Sequence, residues 1–125
     1  MNKVQAIVDF WQRVSGLMVF DENSVPDEAK MPYLTCEIKT GSFENEIPIT
    51  ASLWYRDTSW EAVSLKAEAI SKAIYELRGT AQKIDDGRFR IYEGNTPLCQ
   101  RLPDDNDDMV KRIVITIMVE FFTNY

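Results

Sequence analysis

Hydrophobic and polar positions alternate most regularly near the end of the chain. From Val110 to Phe122 the sequence runs V-K-R-I-V-I-T-I-M-V-E-F-F, without Gly or Pro and rich in β-branched side chains, which predicts a long β-strand. Ile113, Ile115, Ile117, Val119 and Phe121 share one face, opposite Arg112, Val114, Thr116, Met118, Glu120 and Phe122. One face is wholly apolar and the other mixed, which places the strand inside a sheet. At about 3.3 Å per residue it extends about 43 Å, whereas a compact domain of this length is about 36 Å across. Such a strand must bend, or protrude where another subunit can use it.

Two stretches carry helical spacing. Over Lys3 to Met18 the stripe is Val4, Ile7, Val8, Trp11, Val14 and Met18, with Phe10 off it and Gly16 ending or weakening the last turn. Over Trp60 to Leu77 the stripe is Trp60, Val63, Ala67, Ile70, Ile74 and Leu77. Thr58 or Ser59 is the expected cap, Thr58 and Glu61 have capping-box spacing, and Arg78 with Gly79 closes the helix. This second stripe is expected to cover the odd-numbered face of the final strand. Between the helices, Leu17 to Phe20 reads as a short edge strand. Tyr33 to Lys39 and Ile47 to Asp57 alternate as two strands joined through Thr40 to Glu46, with Pro48 expected at an edge or bulge. Lys83 to Tyr92 reads as a hairpin turning at Asp85, Asp86 and Gly87, Asn95 to Pro97 as a break, and Leu98 to Leu102 as a short strand. The expected class is therefore α+β: a small single domain with a mainly antiparallel sheet, a long helix packed on one face, and an N-terminal helix.

Composition narrows the chemistry. A chain of 125 residues with net charge -6 is not a general nucleic-acid binder, which would need a basic surface to neutralise phosphates. An acidic protein can still line a passage through which DNA slides. There is no histidine, so the usual neutral-pH base and commonest metal ligand are missing. Cys36 and Cys99 make neither a disulfide framework nor a zinc pattern. Cys36, on an apolar strand face, is expected to pack as a reduced thiol. No run reaches the length of a membrane span and no signal-peptide core is evident, so a soluble, cytoplasmic protein is expected.

Three constellations invite chemical readings. Asp104, Asn106 and Asp108 mimic the opening of an EF-hand loop, but Met109 takes the glycine position and Ile115 the terminal glutamate position; a solvated turn is the better reading. Asp27 after Pro26, with Glu37 and Lys39, matches a P-D…E-x-K pattern in which two carboxylates would hold Mg²⁺ and the lysine assist a water. A nuclease of that kind is the alternative enzymatic reading, although the pattern is short and Pro32 interrupts it. The serines lack a histidine partner and a nucleophile elbow, and no phosphate-binding glycine loop is present. Trp54, Tyr55, Trp60, Phe89, Tyr92, Phe121 and Phe122 lack interleaved Arg and Lys on a recognisable platform, which favours core and interface packing over base stacking.

The order of elements is itself informative. An N-terminal helix is followed by Leu17-Met18-Val19-Phe20-Asp21, a strand opened by Met31-Pro32-Tyr33-Leu34, and a hairpin. A long helix is then entered through Asp57-Thr58-Ser59-Trp60, and Asp104 to Asp108 leads into a last strand ending Met118-Val119-Glu120-Phe121. This order resembles the tail terminator (tail completion) proteins of long-tailed bacteriophages and prophages and related head–tail joining proteins. The resemblance implies a non-enzymatic structural protein of virion assembly, without cofactor or metal. It implies a homo-hexameric ring that ends tail-tube polymerisation, contacts the tail-tube protein and the head–tail connector protein, and lets DNA pass without specific binding. It implies the host cytoplasm during assembly and the virion tail afterwards, with no membrane. The hairpin from Lys83 to Tyr92 departs from the family's pattern, and no functional residue is carried over from it.

The residues add one expectation of their own. Val114, Met118 and Phe122 on the even face of the last strand, with Trp54 on its neighbour, form a candidate oligomer interface. Either the first helix covers this patch within the subunit, the slightly favoured arrangement, or a neighbouring subunit does. A third reading, a small adaptor that binds a partner by strand addition, is also consistent with a long strand.

Overall fold

The last strand is the structural axis. In the computed structural model, which describes residues 1–42, 45–94 and 98–125, strand β7 spans Val110–Thr123 and pairs along its whole length. One edge is taken by β3 (Glu46–Arg56), antiparallel from Glu46↔Glu120 to Arg56↔Val110. The other edge is shared by β6 (Cys99–Arg101), opposite Ile113 to Ile115, and β5 (Gly87–Glu93), opposite Ile117 to Thr123. The excess length of β7 therefore does not protrude; three partners use it up. Beyond β3 lie β2 (Tyr33–Cys36), antiparallel, and β1 (Val19–Asp21), parallel to β2; beyond β5 lies β4 (Gln82–Ile84). The result is a small α+β domain with a mixed, mostly antiparallel, curled seven-stranded sheet and helices packed on it.

Both helices, α1 (Lys3–Ser15) and α2 (Glu61–Leu77), lie on the same side of that sheet. Val63, Ala67, Ile70 and Ile74 of α2 and Ala6, Ile7, Phe10 and Trp11 of α1 join one core with Ile113, Ile115, Ile117, Val119 and Phe121. Each fully buried large aliphatic side chain contributes about 1.5–3 kcal/mol of transfer free energy. The expected packing of the α2 stripe on the odd face of β7 is what the fold shows. The expectation that α1 covers the even face is corrected: α1 needs the odd face for Phe10 and Trp11, whose rings meet edge to face at 5.1 Å, and it lies beside α2 instead.

Several local expectations change at helix ends. The N-terminal stripe overreached: Val4 is 44% exposed, and Met18 lies beyond the helix at 64%. Gly16, left-handed at φ 67, ends α1 by donating its N–H to the Gln12 carbonyl. The capping box belongs to α1, where Asn2 and Gln5 bond reciprocally, and not to Thr58 and Glu61. Helix α2 starts at Glu61 with Trp60 as its cap residue, and its entry is held by Ser59 Oγ accepting the Glu61 N–H at 3.0 Å. Trp60 is half-buried, flanked by the Arg101 and Lys111 cations at 4.9 and 5.6 Å from its ring. Lys111 is buried, and its ammonium is compensated by that ring and by the Asp108 carbonyl it bonds. Pro48 falls where the β2 ladder has already ended at Cys36↔Ala51, so that part of β3 is paired on one side only, as its missing N–H requires. The predicted break at 95–97 lies outside the described residues, as does part of the β2–β3 connection.

The β4–β5 hairpin turns through Asp85 and Asp86, Asp86 at φ 65, and delivers Gly87 against β7. A Cβ at Gly87 would stand 2.0 Å from the Phe122 carbonyl oxygen. Gly87→Ala is therefore expected to force β5 off the end of β7 and cost about 1–3 kcal/mol. Ile74→Ala, which empties a fully buried site between α2 and the sheet, is expected to cost about 2–5 kcal/mol. Urea unfolding followed by far-UV circular dichroism reads both as a lowered midpoint.

Candidate functional site

Because both helices occupy one side, no helix covers the opposite face of the sheet among the described residues. Register defines that face. Trp54, Ser52, Thr50 and Pro48 of β3 stand opposite Arg112, Val114, Thr116 and Met118 of β7, and Arg88, Arg90 and Tyr92 of β5 opposite Phe122, Glu120 and Met118. Tyr33 and Thr35 of β2 extend it past Trp54 and Ser52. The even-numbered residues of β7 from Arg112 to Phe122 are all half-buried, whereas the odd ones are buried.

All four candidate interface residues, Trp54, Val114, Met118 and Phe122, lie on this face and are half-buried. They do not form one continuous apolar patch. Thr116 and Glu120 separate the three β7 residues, and Trp54 stands directly across from Arg112, diagonal to Val114. The indole of Trp54 lies 4.6 Å from the Arg112 guanidinium carbon, and its Nε1–H donates to Thr35 Oγ1 at 2.9 Å. Arg112 Nε in turn donates to Ser52 Oγ at 3.0 Å. Thr35 and Ser52 are consequently buried on a face that no helix covers among the described residues. At the other end of β7, the Arg90 guanidinium lies 4.9 Å from the Phe122 ring centroid, and the Tyr92 hydroxyl accepts from Arg90 Nη1 at 3.4 Å.

These arginines are what the sequence reading missed. The aromatics lack a recognisable platform of interleaved cations in sequence, yet the pairing sets Arg112 over Trp54 and Arg90 over Phe122. The signal was present in R-F-R-I-Y over Arg88 to Tyr92, whose alternation puts Arg88, Arg90 and Tyr92 on one side. What was missing was the strand they pair with.

The other constellations are committed elsewhere. Asp104 Oδ1 accepts the backbone N–H groups of Asn106 and Asp107, while Asp107 accepts from the Met109 N–H and, at 2.9 Å, from Arg56. The acidic turn is thus wired to its own backbone and to the end of β3. Glu37 accepts the Thr50 N–H and lies 3.5 Å from Lys39, whose ammonium also reaches the Pro48 carbonyl. Both polar partners of the P-D…E-x-K pattern therefore bond to β3, and Asp27 is exposed in the loop before β2. No cluster of three or more Cys, Asp or Glu side chains is disposed to hold a metal ion among the described residues. Burial, then Asp21 and Glu22, pushes the Cys36 thiol up to about 11, and burial also raises Cys99 against its contact with the Ser71 hydroxyl. Neither is a ready thiolate nucleophile at neutral pH. Among the described residues no helix is long and apolar enough to cross a membrane. No family model and no curated protein matches the chain.

The acidic turn carries a pH signature. The hydrogen bond from Arg56, followed by that from the Met109 N–H, holds the Asp107 carboxyl below the usual aspartate range. A depressed folded-state value means that the interaction favours the fold at neutral pH and is lost as pH falls through that value. Carboxyl NMR titration is expected to show Asp107 titrating at lower pH than an ordinary aspartate, and Arg56→Ala to move it back up.

Proposed function

We propose that this chain is a structural subunit of a bacteriophage or prophage tail. In this reading it closes into a homo-hexameric ring that ends tail-tube polymerisation and joins the tail to the head connector. The observation that carries this reading is the uncovered face of the sheet. Large side chains held at half exposure, with their rings already packed against guanidinium groups, suit a surface that another protein covers, because aromatic and Arg residues concentrate at the centres of such contacts. The order of elements resembles that of tail terminator and head–tail joining proteins, which supports an assembly of that kind. An overall charge of -6 suits a ring through which DNA moves without being held. Strand addition is less well served: the outer strands β1 and β4 have three residues each, a short ladder for a partner strand.

The expected behaviour is a closed oligomer with a central opening, seen by size exclusion with light scattering and by electron microscopy. Met118→Glu or Phe122→Glu places a charge on the half-buried face and is expected to leave a folded monomer of unchanged circular dichroism. An unfolded variant would make the face ordinary core. A wild-type chain that stays monomeric at every accessible concentration would assign the face to a different partner.

A further inference from the structure

A ring of more than two members joins unlike surfaces head to tail, so each subunit needs two complementary patches. If the ring reading holds, the uncovered sheet face is one of them. The second is on the far side of the domain, on the outside of α2. There Leu65 is 60% and Tyr75 55% exposed, large apolar side chains off the buried stripe of the same helix. With Ala69, Leu98 and Glu93 they line an open groove of about 680 Å³.

The two surfaces differ in charge in the way a head-to-tail contact needs. Register places Lys83, Arg88, Arg90 and Arg112 on the sheet face, against Glu46 and Glu120. The outside of α2 exposes Glu61, Glu68 and Glu76 against Lys72 and Arg78, the latter 4.1 Å from the Tyr75 ring, and Glu93 beside the groove leaves the carboxylates in excess. A cationic face on a chain of net charge -6 is a local arrangement, not the average of the surface. Complementary potentials of this kind fix which surface meets which and suppress like-to-like pairing.

We infer that the outside of α2, around Leu65, Glu68 and Tyr75, receives the uncovered sheet face of a second copy of this chain. Met118 and Phe122 supply the apolar contact, and the cations of the β4–β5 hairpin face the carboxylates of α2. The inference rests on the ring reading and adds the partner surface to it.

Charge reversal in two separate chains tests it. One chain carries Lys83→Glu and Arg88→Glu, the other Glu68→Lys and Glu76→Lys; all four side chains are exposed, and circular dichroism checks that both variants fold. Each variant alone is expected to self-associate at least about tenfold more weakly than wild type. Equimolar mixing is expected to restore the assembly, because alternating copies again present opposite charges at every contact. A mixture that stays dissociated overturns the inference. So does an assembly that Met118→Glu disrupts but the α2 reversal leaves intact; in that case the ring reading survives and only the partner surface is wrong. A wild-type chain that never self-associates removes both. Binding of a single-stranded oligonucleotide that is lost on Arg88→Glu, with no effect of the α2 reversal on assembly, would give the face to nucleic acid instead.

Discussion

The β3–β7 ladder is the constraint on which the rest of the molecule depends. It runs unbroken from Glu46↔Glu120 to Arg56↔Val110, and side-chain period two turns that single register into two surfaces. A one-residue slip would send Ile113, Ile115, Ile117, Val119 and Phe121 into water and Arg112, Thr116 and Glu120 into the core. Burial of the odd set under two helices therefore fixes the register, and the register in turn fixes which side chains occupy the face left open. The packing of the core and the composition of the candidate interface are consequences of the same alignment.

Leaving one face of an antiparallel sheet uncovered is ordinary when that face is polar. Here it carries Trp54, Val114, Met118, Phe122 and Tyr92, and the molecule makes it tolerable by local pairing. Arg112 lies over Trp54, Trp54 bonds Thr35, and Arg112 bonds Ser52. Arg90 lies over Phe122 and stands across from Glu120, which on its other side faces Glu46. Stacked guanidinium groups cover apolar ring surface. Such a face is stable enough for a folded domain and still has area to lose to a contact.

Alternation made most of the fold legible. The strands at Tyr33, Ile47 and Val110, the α2 stripe and the β4–β5 hairpin all follow from side-chain period and turn residues. Helix ends were less legible, because Asn2 with Gln5 and Thr58 with Glu61 offer similar local chemistry and only tertiary context decides which closes. Trp60 fits the α2 stripe by spacing and packs against the core, yet it stands at the cap position, flanked by Arg101 and Lys111 from later in the chain. The position of α1 was not legible at all: an amphipathic stripe says that a helix is covered, not which side of a sheet covers it. For the same reason the four candidate residues were correctly grouped on one face while their arginine neighbours went unseen, since those neighbours arrive through pairing between segments distant in sequence.

The acidic character of the chain also takes on a location. At the start of β7 the carboxylates of the Asp104 to Asp108 turn are partly absorbed by backbone N–H groups and by Arg56, which anchors the turn to the end of β3. Along α2 the carboxylates are solvated on the outer surface, while cations gather on the opposite side of the domain around β4, β5 and β7. A two-layer domain with helices on one side only has two chemically different broad faces, and here the sheet face carries an excess of cations. Such a domain has a direction. Self-complementary dimerisation through the sheet face would set two faces with the same excess of cations against each other. Head-to-tail contact would instead set each cationic face against the carboxylates of α2, and repeated contacts of that kind lead to a ring where the rotation closes and to a filament where it does not.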